Sequence, residues 1–250
     1  AALSTRSGHN FGDDFALYIN QAKSLATGTV DKLIEKNYFT TYFSSFKPGS
    51  TLYPWGYPLA LTIVYWLFGM NLTAFKMLNV IVFSASLIPL YLLLKNKFAR
   101  KSTVMFLLAL IGFNIGFIIF VDSVISDLMF LFISNICLWL TFRFIVEGKF
   151  WINRYLSMTL LAAFTFYGYL VRSNGIVLVP FIALVCLDKV IRDHKQIRAN
   201  FKKYVIDNLY LLIPFIGFAV MYVVFFKIFP DGSVSHLEIL ADITDNSIKT

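Results

Sequence analysis

Two adjacent carboxylates near the start of the chain, Asp13 and Asp14, are the first candidates for chemistry. They directly precede an amphipathic helical pattern, whose apolar residues recur at three- and four-residue steps: Phe11, Phe15, Tyr18, Ala22 and Leu25. The other face is largely polar, with Asn20, Gln21, Lys23 and Ser24, and Gly28 is predicted to end the helix. Asp is a favoured N-cap residue and suits the positive end of a helix, so capping explains one of the two. The other is then spare, and a carboxylate can act as a general base. Capping and catalysis both stay open on these grounds.

The second candidate is the polar stretch Asp122-Ser123…Ser126-Asp127, between two apolar runs. A carboxylate at the centre of a membrane helix costs roughly 2.5–3.5 kcal/mol on insertion scales, so such residues usually face a cavity or a partner. Asp127 stands about one helical turn inside the end of an apolar run, where the cost is smaller. We expect Asp127 either to face a cavity or partner, or to start a solvated helix.

The third candidate is the turn Arg172-Ser173-Asn174-Gly175, which carries one basic residue and no acidic one. Ser173 or Asn174 could cap the following helix, whose unpaired N–H groups favour an anion. The planar guanidinium of Arg172 suits phosphate. The alternative is an arginine that extends toward lipid headgroups.

Metal and nucleotide chemistry have weaker signals. His236 and Glu238 are spaced as two metal ligands could be, and His9 is a further candidate, but such spacing is common by chance. No cofactor is therefore predicted with certainty, and a divalent metal stays an open alternative. The chain has no P-loop, dinucleotide glycine motif, His-Glu-x-x-His or Gly-x-Ser-x-Gly, which argues against a nucleotide-driven pump or a serine hydrolase.

The elements that position these residues are predicted to be membrane helices. The 250 residues are 58% hydrophobic and 14% charged, with a mean hydropathy of +0.71, whereas soluble domains carry about 25% charged residues. A bilayer is crossed by about 20 apolar residues in a helix. This length predicts an all-α membrane protein with about six spans, at 72–94, 102–121, 124–146, 155–171, 175–191 and 207–229. The shorter run from Pro58 to Phe68 is interpreted as an interfacial or re-entrant helix, with Pro58 in its first turn.

The basic residues predict the orientation. They concentrate in three segments, 95–101, 143–154 and 189–203, which alternate with loops poor in Lys and Arg. Basic loops stay cytoplasmic, so the net charge of +8 is a topology signal. Nucleic-acid binding would need one solvated basic face, and no nucleic-acid partner is expected.

This topology divides the chain into an extracytoplasmic segment 1–71, a transmembrane bundle 72–229 and an extracytoplasmic segment 230–250. No initiator Met or signal-peptide pattern opens the sequence. We therefore expect a further span upstream, in a longer protein.

The arrangement resembles the GT-C superfamily of membrane glycosyltransferases, which includes the protein O-mannosyltransferases (glycosyltransferase family 39) and the bacterial aminoarabinose transferase of lipid A. The first external loop of that family reads loosely Asp-Glu-x-x-Tyr, followed by Ala, Leu and Gly at helical spacing. This chain has Asp14, Tyr18, Ala22, Leu25 and Gly28 at those places. The proline-rich stretch before the family's next helix is similar to Tyr53-Pro54-Trp55-Gly56-Tyr57-Pro58.

Two later motifs extend the resemblance over roughly residues 8–190. The Ser-Glu-x-x-Phe that opens a membrane helix in the family is similar to Ser126-Asp127-Leu128-Met129-Phe130, and the Arg-x-x-Gly turn is similar to Arg172–Gly175. The chain departs from the family where Phe15 and Asp127 replace Glu, so a role of the first Glu in metal binding cannot be carried over. The family's first helix and C-terminal part are also missing from this sequence.

The resemblance implies an inverting transfer of a sugar from a polyprenyl-phosphate donor to a lipid, glycan or protein acceptor on the extracytoplasmic face of a bacterial inner membrane. Asp14, with Asp13 beside it, is the implied catalytic base. The implied substrate-binding residues are Arg172 and Lys47 for the phosphate, Asp127 in the same region, and Tyr53 and Tyr57 for stacking on a sugar. Tyr53, Tyr57 and the neighbouring Trp55 could instead anchor the segment at the membrane interface.

Two other classes of function remain. A transporter or lipid flippase would need charged or broken helices near the bilayer midplane, often in inverted repeats. The sequence has neither pattern, and Lys76 and Lys227 lie near span ends. A non-catalytic membrane assembly subunit is the third class.

Overall fold

The computed structural model describes residues 15–43, 53–95, 97–98 and 100–229. The described part is helical, without strands, and its α-helices are α1 (Phe15–Thr27), α2 (Val30–Phe43), α3 (Gly56–Phe68), α4 (Leu72–Leu94), α5 (Lys101–Gly112), α6 (Ile115–Val121), α7 (Asp127–Thr141), α8 (Arg154–Val171), α9 (Leu178–Arg192), α10 (His194–Ala199), α11 (Phe201–Asn208) and α12 (Ile213–Ile228). A π-helical turn, Phe142–Val146, continues α7. Two 3₁₀ turns, Ser173–Val177 and Leu209–Leu212, lead into α9 and α12.

Within the described residues, four helical segments are long and apolar enough to cross a membrane: Leu72–Leu94, Asp127–Val146, Ser173–Arg192 and Phe201–Ile228. The α5–α6 pair could form a fifth. These segments make the chain compatible with a multi-pass membrane protein. Helix α8 lies at the predicted span 155–171, but it is not among the helices of sufficient hydropathy, so six spans stay a prediction.

The predicted helix 102–121 is broken. It forms α5 and α6, whose axes differ in direction by 53°. The side chain of Asn114 accepts a hydrogen bond from the Gly116 N–H at 2.9 Å and caps α6. This cap starts a new helix inside the apolar run. Hydropathy does not detect a cap, so the apolar run alone predicted one straight helix.

Helix α1 is amphipathic and ends before Gly28, whose φ of +65° suits a residue without a side chain. The sequence pattern placed Gln21 and Ser24 on the polar face, and this was wrong, because both side chains are buried. The Gln21 amide donates to the Tyr53 carbonyl at 2.9 Å and accepts from the Tyr53 N–H at 3.1 Å. A polar side chain satisfied in this way can be buried at little cost.

Helix α3 begins against α8, with Pro58 in its first turn as the sequence predicts. A Cβ on Gly56 would lie 2.5 Å from the Val171 nitrogen, so the two backbones meet at a distance that only glycine permits. The Tyr167 hydroxyl donates to the Gly56 carbonyl at 3.0 Å. The far end of α3 exposes Trp66 and Leu67, which is consistent with an interfacial helix.

Three buried apolar clusters lie among the described residues, and two of them mark the ends of the bundle. One contains Tyr18, Tyr57, Phe75 and Val171 and lies where α1 and α3 pack on the larger helices. The other contains Leu140, Met158, Ile182 and Tyr210 and lies toward the basic loops. The bundle therefore has two distinct ends, here called the tyrosine end and the basic end.

Candidate functional site at the tyrosine end

Three tyrosines pack together: Tyr18 of α1, Tyr53 before α3 and Tyr57 in the first turn of α3. The rings of Tyr18 and Tyr53 stack with centroids 4.6 Å apart, and Tyr57 meets Tyr18 edge-on at 5.2 Å. The Tyr18 hydroxyl lies 3.0 Å from the Ser126 hydroxyl, across 108 residues of sequence. This contact joins the first turn of α1 to the residue that precedes α7.

Tyr57 and Asn79 hold the loop before α7 from the other side. The Tyr57 hydroxyl donates to Asn79 Oδ1 at 2.9 Å, and Asn79 Nδ2 donates to the Ser123 carbonyl at 2.5 Å. Both side chains are completely buried. Burial raises the pKa of the Tyr57 phenol.

The burial of Tyr57 contradicts the expectation that its ring stacks on a sugar. The Tyr57 ring has no exposed face on which a sugar could stack, because its edge packs on Tyr18. Trp55 is only 2% exposed and lies against Phe229, with ring centroids 5.4 Å apart. Tyr53 alone of the three is partly exposed, so it is the remaining aromatic platform.

A buried ion pair joins α4 to the same loop. Lys76 Nζ lies 2.8 Å from Asp122 Oδ1, and the side chains are 1% and 23% exposed. Sequence reasoning placed Lys76 near the end of a span and gave it no role. The position of Lys76 already indicated an ion pair, because a lysine that lies one turn inside an apolar helix usually has a charged partner.

Asp127 and Arg172 form a second ion pair, between the start of α7 and the turn after α8. Both side chains are partly exposed, at 38% and 40%. Asp127 thus starts its helix and also has a charged partner. Arg172 contacts Asp127 through Nη1. A guanidinium has five N–H donors, so the others are not used in this contact.

The expected caps at Ser173 and Asn174 are wrong. Ser173–Val177 is a 3₁₀ turn whose cap position is Arg172, and no side chain caps it. The Gly175 N–H donates to the Arg172 carbonyl at 2.7 Å. A Cβ on Gly175 would lie 2.4 Å from the Gly168 oxygen, so this turn also depends on close backbone contact.

Several predicted residues lie outside the described part of the chain: Asp13, Asp14, Lys47, His9, His236 and Glu238. Asp14 directly precedes Phe15, the first described residue of α1. Among the residues that the structure describes, no group of three or more His, Cys, Asp or Glu could hold a metal ion. The divalent-metal alternative rests in part on residues beyond these ranges.

The described arrangement places two ion pairs beside the packed tyrosines. Two cations and two carboxylates, in the pairs Lys76–Asp122 and Arg172–Asp127, lie around one loop. The more exposed pair offers an acceptor and unused guanidinium donors at the surface of the bundle.

Comparisons with known proteins identify no relative, since no family model, curated protein or solved structure matches the chain.

Proposed function

We propose that the chain is a membrane glycosyltransferase that moves a sugar from a polyprenyl-phosphate donor to an acceptor on the extracytoplasmic face. The supporting observation is the convergence of segments. The described parts of the four stretches that carry the resemblance to the GT-C superfamily are distant in sequence, yet they meet at one end of the bundle. They are α1, the segment 53–58, the start of α7 and the turn at Arg172.

Asp14 is the proposed general base. It directly precedes α1, and Tyr18, four residues later, contacts Ser126 beside Asp127. The base removes the proton of an acceptor hydroxyl as its oxygen attacks the anomeric carbon. General-base help of this kind typically contributes about 10²–10⁴-fold in rate.

Arg172 is the proposed ligand of the departing lipid phosphate. The bond between the anomeric carbon and the phosphate oxygen breaks as the acceptor bond forms, and the electron pair leaves with the phosphate. A positioned cation stabilises the charge that develops there. The contact with Asp127 fixes the guanidinium and leaves donors for the phosphate. Lys47 is a second proposed phosphate ligand.

Tyr53 is the proposed sugar platform. One face of its ring stacks on Tyr18, and its backbone is held by the Gln21 amide. The ring is therefore fixed before a substrate arrives, which reduces the ordering cost of binding. Tyr57 is proposed to support this arrangement from below rather than to contact the sugar.

The location belongs to the same proposal. The basic end carries the segments 95–101, 143–154 and 189–203, and basic loops remain cytoplasmic. The tyrosine end then faces outward, as expected for a bacterial inner-membrane enzyme that uses lipid-linked sugars.

The proposal is tested by sugar transfer in membranes that contain the full-length protein. Polyprenyl-phosphate hexoses and pentoses, labelled in the sugar, are supplied one at a time, and label in lipid, glycan and protein fractions is measured. Arg172→Ala is expected to reduce transfer by about 10² or more, the range found for removing a transition-state donor. Arg192→Ala is the matched control, since Arg192 is an exposed arginine in an ion pair at the basic end. Absence of transfer by the wild type with every donor would contradict the proposal.

A further inference from the structure

A small notch opens at the basic end, where the end of α4 meets the π-helical turn that continues α7. It has a volume of about 20 Å³, which is room for one group of the size of a water molecule or a phosphate oxygen. Its lining combines charged, aromatic and apolar side chains: Leu92, Lys95, Trp139, Phe142, Arg143 and Glu147. We call it the α4–α7 notch.

The cations at the notch have no acidic partner in the described part of the chain. Lys95 and Arg143 line the notch, and Lys97 lies two residues after Lys95. None of the three takes part in an ion pair with a described residue. The carboxylate of the lining, Glu147, pairs with Lys149 at 3.1 Å. The notch thus has an excess of positive charge, which an anion from outside the chain would neutralise.

Aromatic rings hold two of these cations in place. The Lys97 ammonium lies 3.8 Å from the centroid of the Phe142 ring, and the Arg143 guanidinium carbon lies 5.9 Å from that of Trp139. Such contacts attract a cation to the face of a ring. Trp139 in turn meets the half-exposed Trp151, with ring centroids 5.4 Å apart. Because tryptophans concentrate at the level of the lipid headgroups, we infer that these cations lie at the depth of a headgroup phosphate.

The π-helical turn gives the notch a regular backbone. The Glu147 N–H donates to the Phe142 carbonyl, and the Lys149 N–H donates to the Arg143 carbonyl, each at 3.0 Å. These bonds satisfy carbonyls that a helix end usually leaves without a partner in the helix. π-Helical turns are rare and often occur at functional sites. Phe142 and Arg143 therefore stand on hydrogen-bonded backbone and not on an irregular loop.

An apolar stripe on α4 leads to the notch. Four residues share one face of the helix, at steps of seven, four and three residues: Ile81, Ile88, Leu92 and Lys95. Ile81 and Ile88 are 61% and 62% exposed, and about 20 Å of helix separates Ile81 from Lys95. A phospholipid presents the same order, because its acyl chains lie below its phosphate. A free phosphate ion would contact the cations alone, so the stripe favours a lipid.

A second basic surface, in the segment 195–203, shows what is particular to the notch. Its four cations are exposed, and none is in an ion pair with a described residue: Lys195, Arg198, Lys202 and Lys203. None of them lies over an aromatic ring of the described residues, and none lines the notch. The aromatic rings and the π-helical turn, rather than positive charge alone, therefore distinguish the notch.

We propose that the α4–α7 notch binds the headgroup of an anionic phospholipid, with the phosphate at Lys95, Lys97 and Arg143 and the acyl chains along the apolar stripe of α4. Basic recesses between membrane helices on the cytoplasmic side suit such lipids, and the basic end is cytoplasmic in the predicted topology. The bound lipid joins the end of α4 to the turn after α7. This inference does not rest on the proposed function, because it uses residues at the opposite end of the bundle.

The first test compares two lipids of equal chain length on the purified wild-type protein. Binding of single lipid molecules from detergent is measured by native mass spectrometry, with phosphatidylglycerol and with phosphatidylcholine. Phosphatidylglycerol is expected to bind at least about tenfold more tightly, since each Lys or Arg near an anionic lipid contributes about fivefold in affinity. Equal binding of the two lipids, or displacement of phosphatidylglycerol by millimolar inorganic phosphate, would overturn the proposal.

Hydrogen–deuterium exchange of the wild type locates the site without a variant. The protein is placed in nanodiscs of phosphatidylcholine, with and without phosphatidylglycerol. Phosphatidylglycerol is expected to slow exchange at the end of α4 and in the turn Phe142–Val146 more than in the segment 195–203. Slower exchange in 195–203 alone, or in none of these segments, would contradict a lipid site at the notch.

Paired substitutions then separate the notch from general charge attraction. Lys95→Ala with Arg143→Ala is expected to weaken phosphatidylglycerol binding at least about tenfold and to leave phosphatidylcholine binding unchanged. Lys202→Ala with Lys203→Ala removes the same charge from the second basic surface and is the matched control. It is expected to change binding less than about twofold, since salt screens exposed charges that do not contact the lipid. Equal losses in the two double variants would rule out a specific site at the notch.

Discussion

The two ends of the bundle use charged and polar residues in different ways. At the tyrosine end, the ion pairs and hydrogen bonds join residues far apart in sequence, such as Lys76 with Asp122 and Tyr18 with Ser126. At the basic end, ion pairs are mostly local, as in Lys189–Asp193 and Arg192–Asp188, each four residues apart on α9 or just beyond it.

This difference separates two roles of the same residue types. A local, exposed pair such as Arg192–Asp188 contributes little to stability, typically about 0–1 kcal/mol, and the basic residues around it are the predicted topology signal. Long-range, buried contacts fix helices relative to one another, and they do so around the loop that leads into α7. Such fixed geometry is what a binding or catalytic site requires.

The largest loss of stability in this comparison of the two ends is expected for Gly175→Ala, at the tyrosine end. The new Cβ would lie 2.4 Å from the Gly168 oxygen and 2.7 Å from the Tyr169 nitrogen, so backbone must move. We expect a loss of stability of about 3 kcal/mol or more, at the upper end of overpacking costs, measured as the thermal unfolding midpoint in detergent. In the control Gly112→Ala, the nearest atom is a leucine methyl at 3.6 Å. Equal stability of the two variants would contradict the close backbone contact.

The next largest effect is expected for Lys76→Met, which leaves the Asp122 carboxylate without this cation. Breaking a buried pair costs about 3–5 kcal/mol, and the lower value applies because Asp122 is 23% exposed. Denaturant unfolding in mixed micelles measures the change. A Lys76→Met protein as stable as the wild type would show that this pair does not fix α4 to the loop.

A smaller effect is expected for Tyr57→Phe. This change removes one hydroxyl and leaves Asn79 Oδ1 without its donor, which costs about 1–3 kcal/mol for a buried acceptor. Tyr155→Phe is the control, since Tyr155 is 50% exposed. Thermal unfolding of both variants is compared, and an equal shift would remove the special role of the Tyr57–Asn79 contact.

The smallest effect is expected at the basic end. Asp188→Asn removes the partner of Arg192 in an exposed pair, and the expected change in stability is about 0.5 kcal/mol or less. The same thermal measurement applies. A loss as large as that of Lys76→Met would abolish the distinction between the two ends.

The sequence predicted the features that depend on local pattern. Apolar runs located α4, α7 and α9, Gly28 marked the end of α1, and Pro58 lies in the first turn of α3. The 53° break was missed because hydropathy does not register a cap, although Asn114 two residues before Gly116 was a readable signal.

The site was harder to predict because its contacts are not local. Gln21 looked like a surface residue, since its partner is the backbone of Tyr53, 32 residues away. Tyr57 looked like an exposed aromatic for the same reason, because Asn79 and the loop that bury it come later in the chain. Arg172 and Asp127 were each recognised as candidates, but nothing in either motif indicated that they pair.

The most direct test of the central claim is sugar transfer by the full-length protein with Asp14→Asn and Asp13→Asn at equal expression, using a labelled polyprenyl-phosphate sugar in membranes. Loss of transfer by about 10² or more in Asp14→Asn alone, with polyprenyl phosphate still bound, is the result expected for a general base. Transfer that survives Asp14→Asn would contradict the assignment of Asp14 as the base.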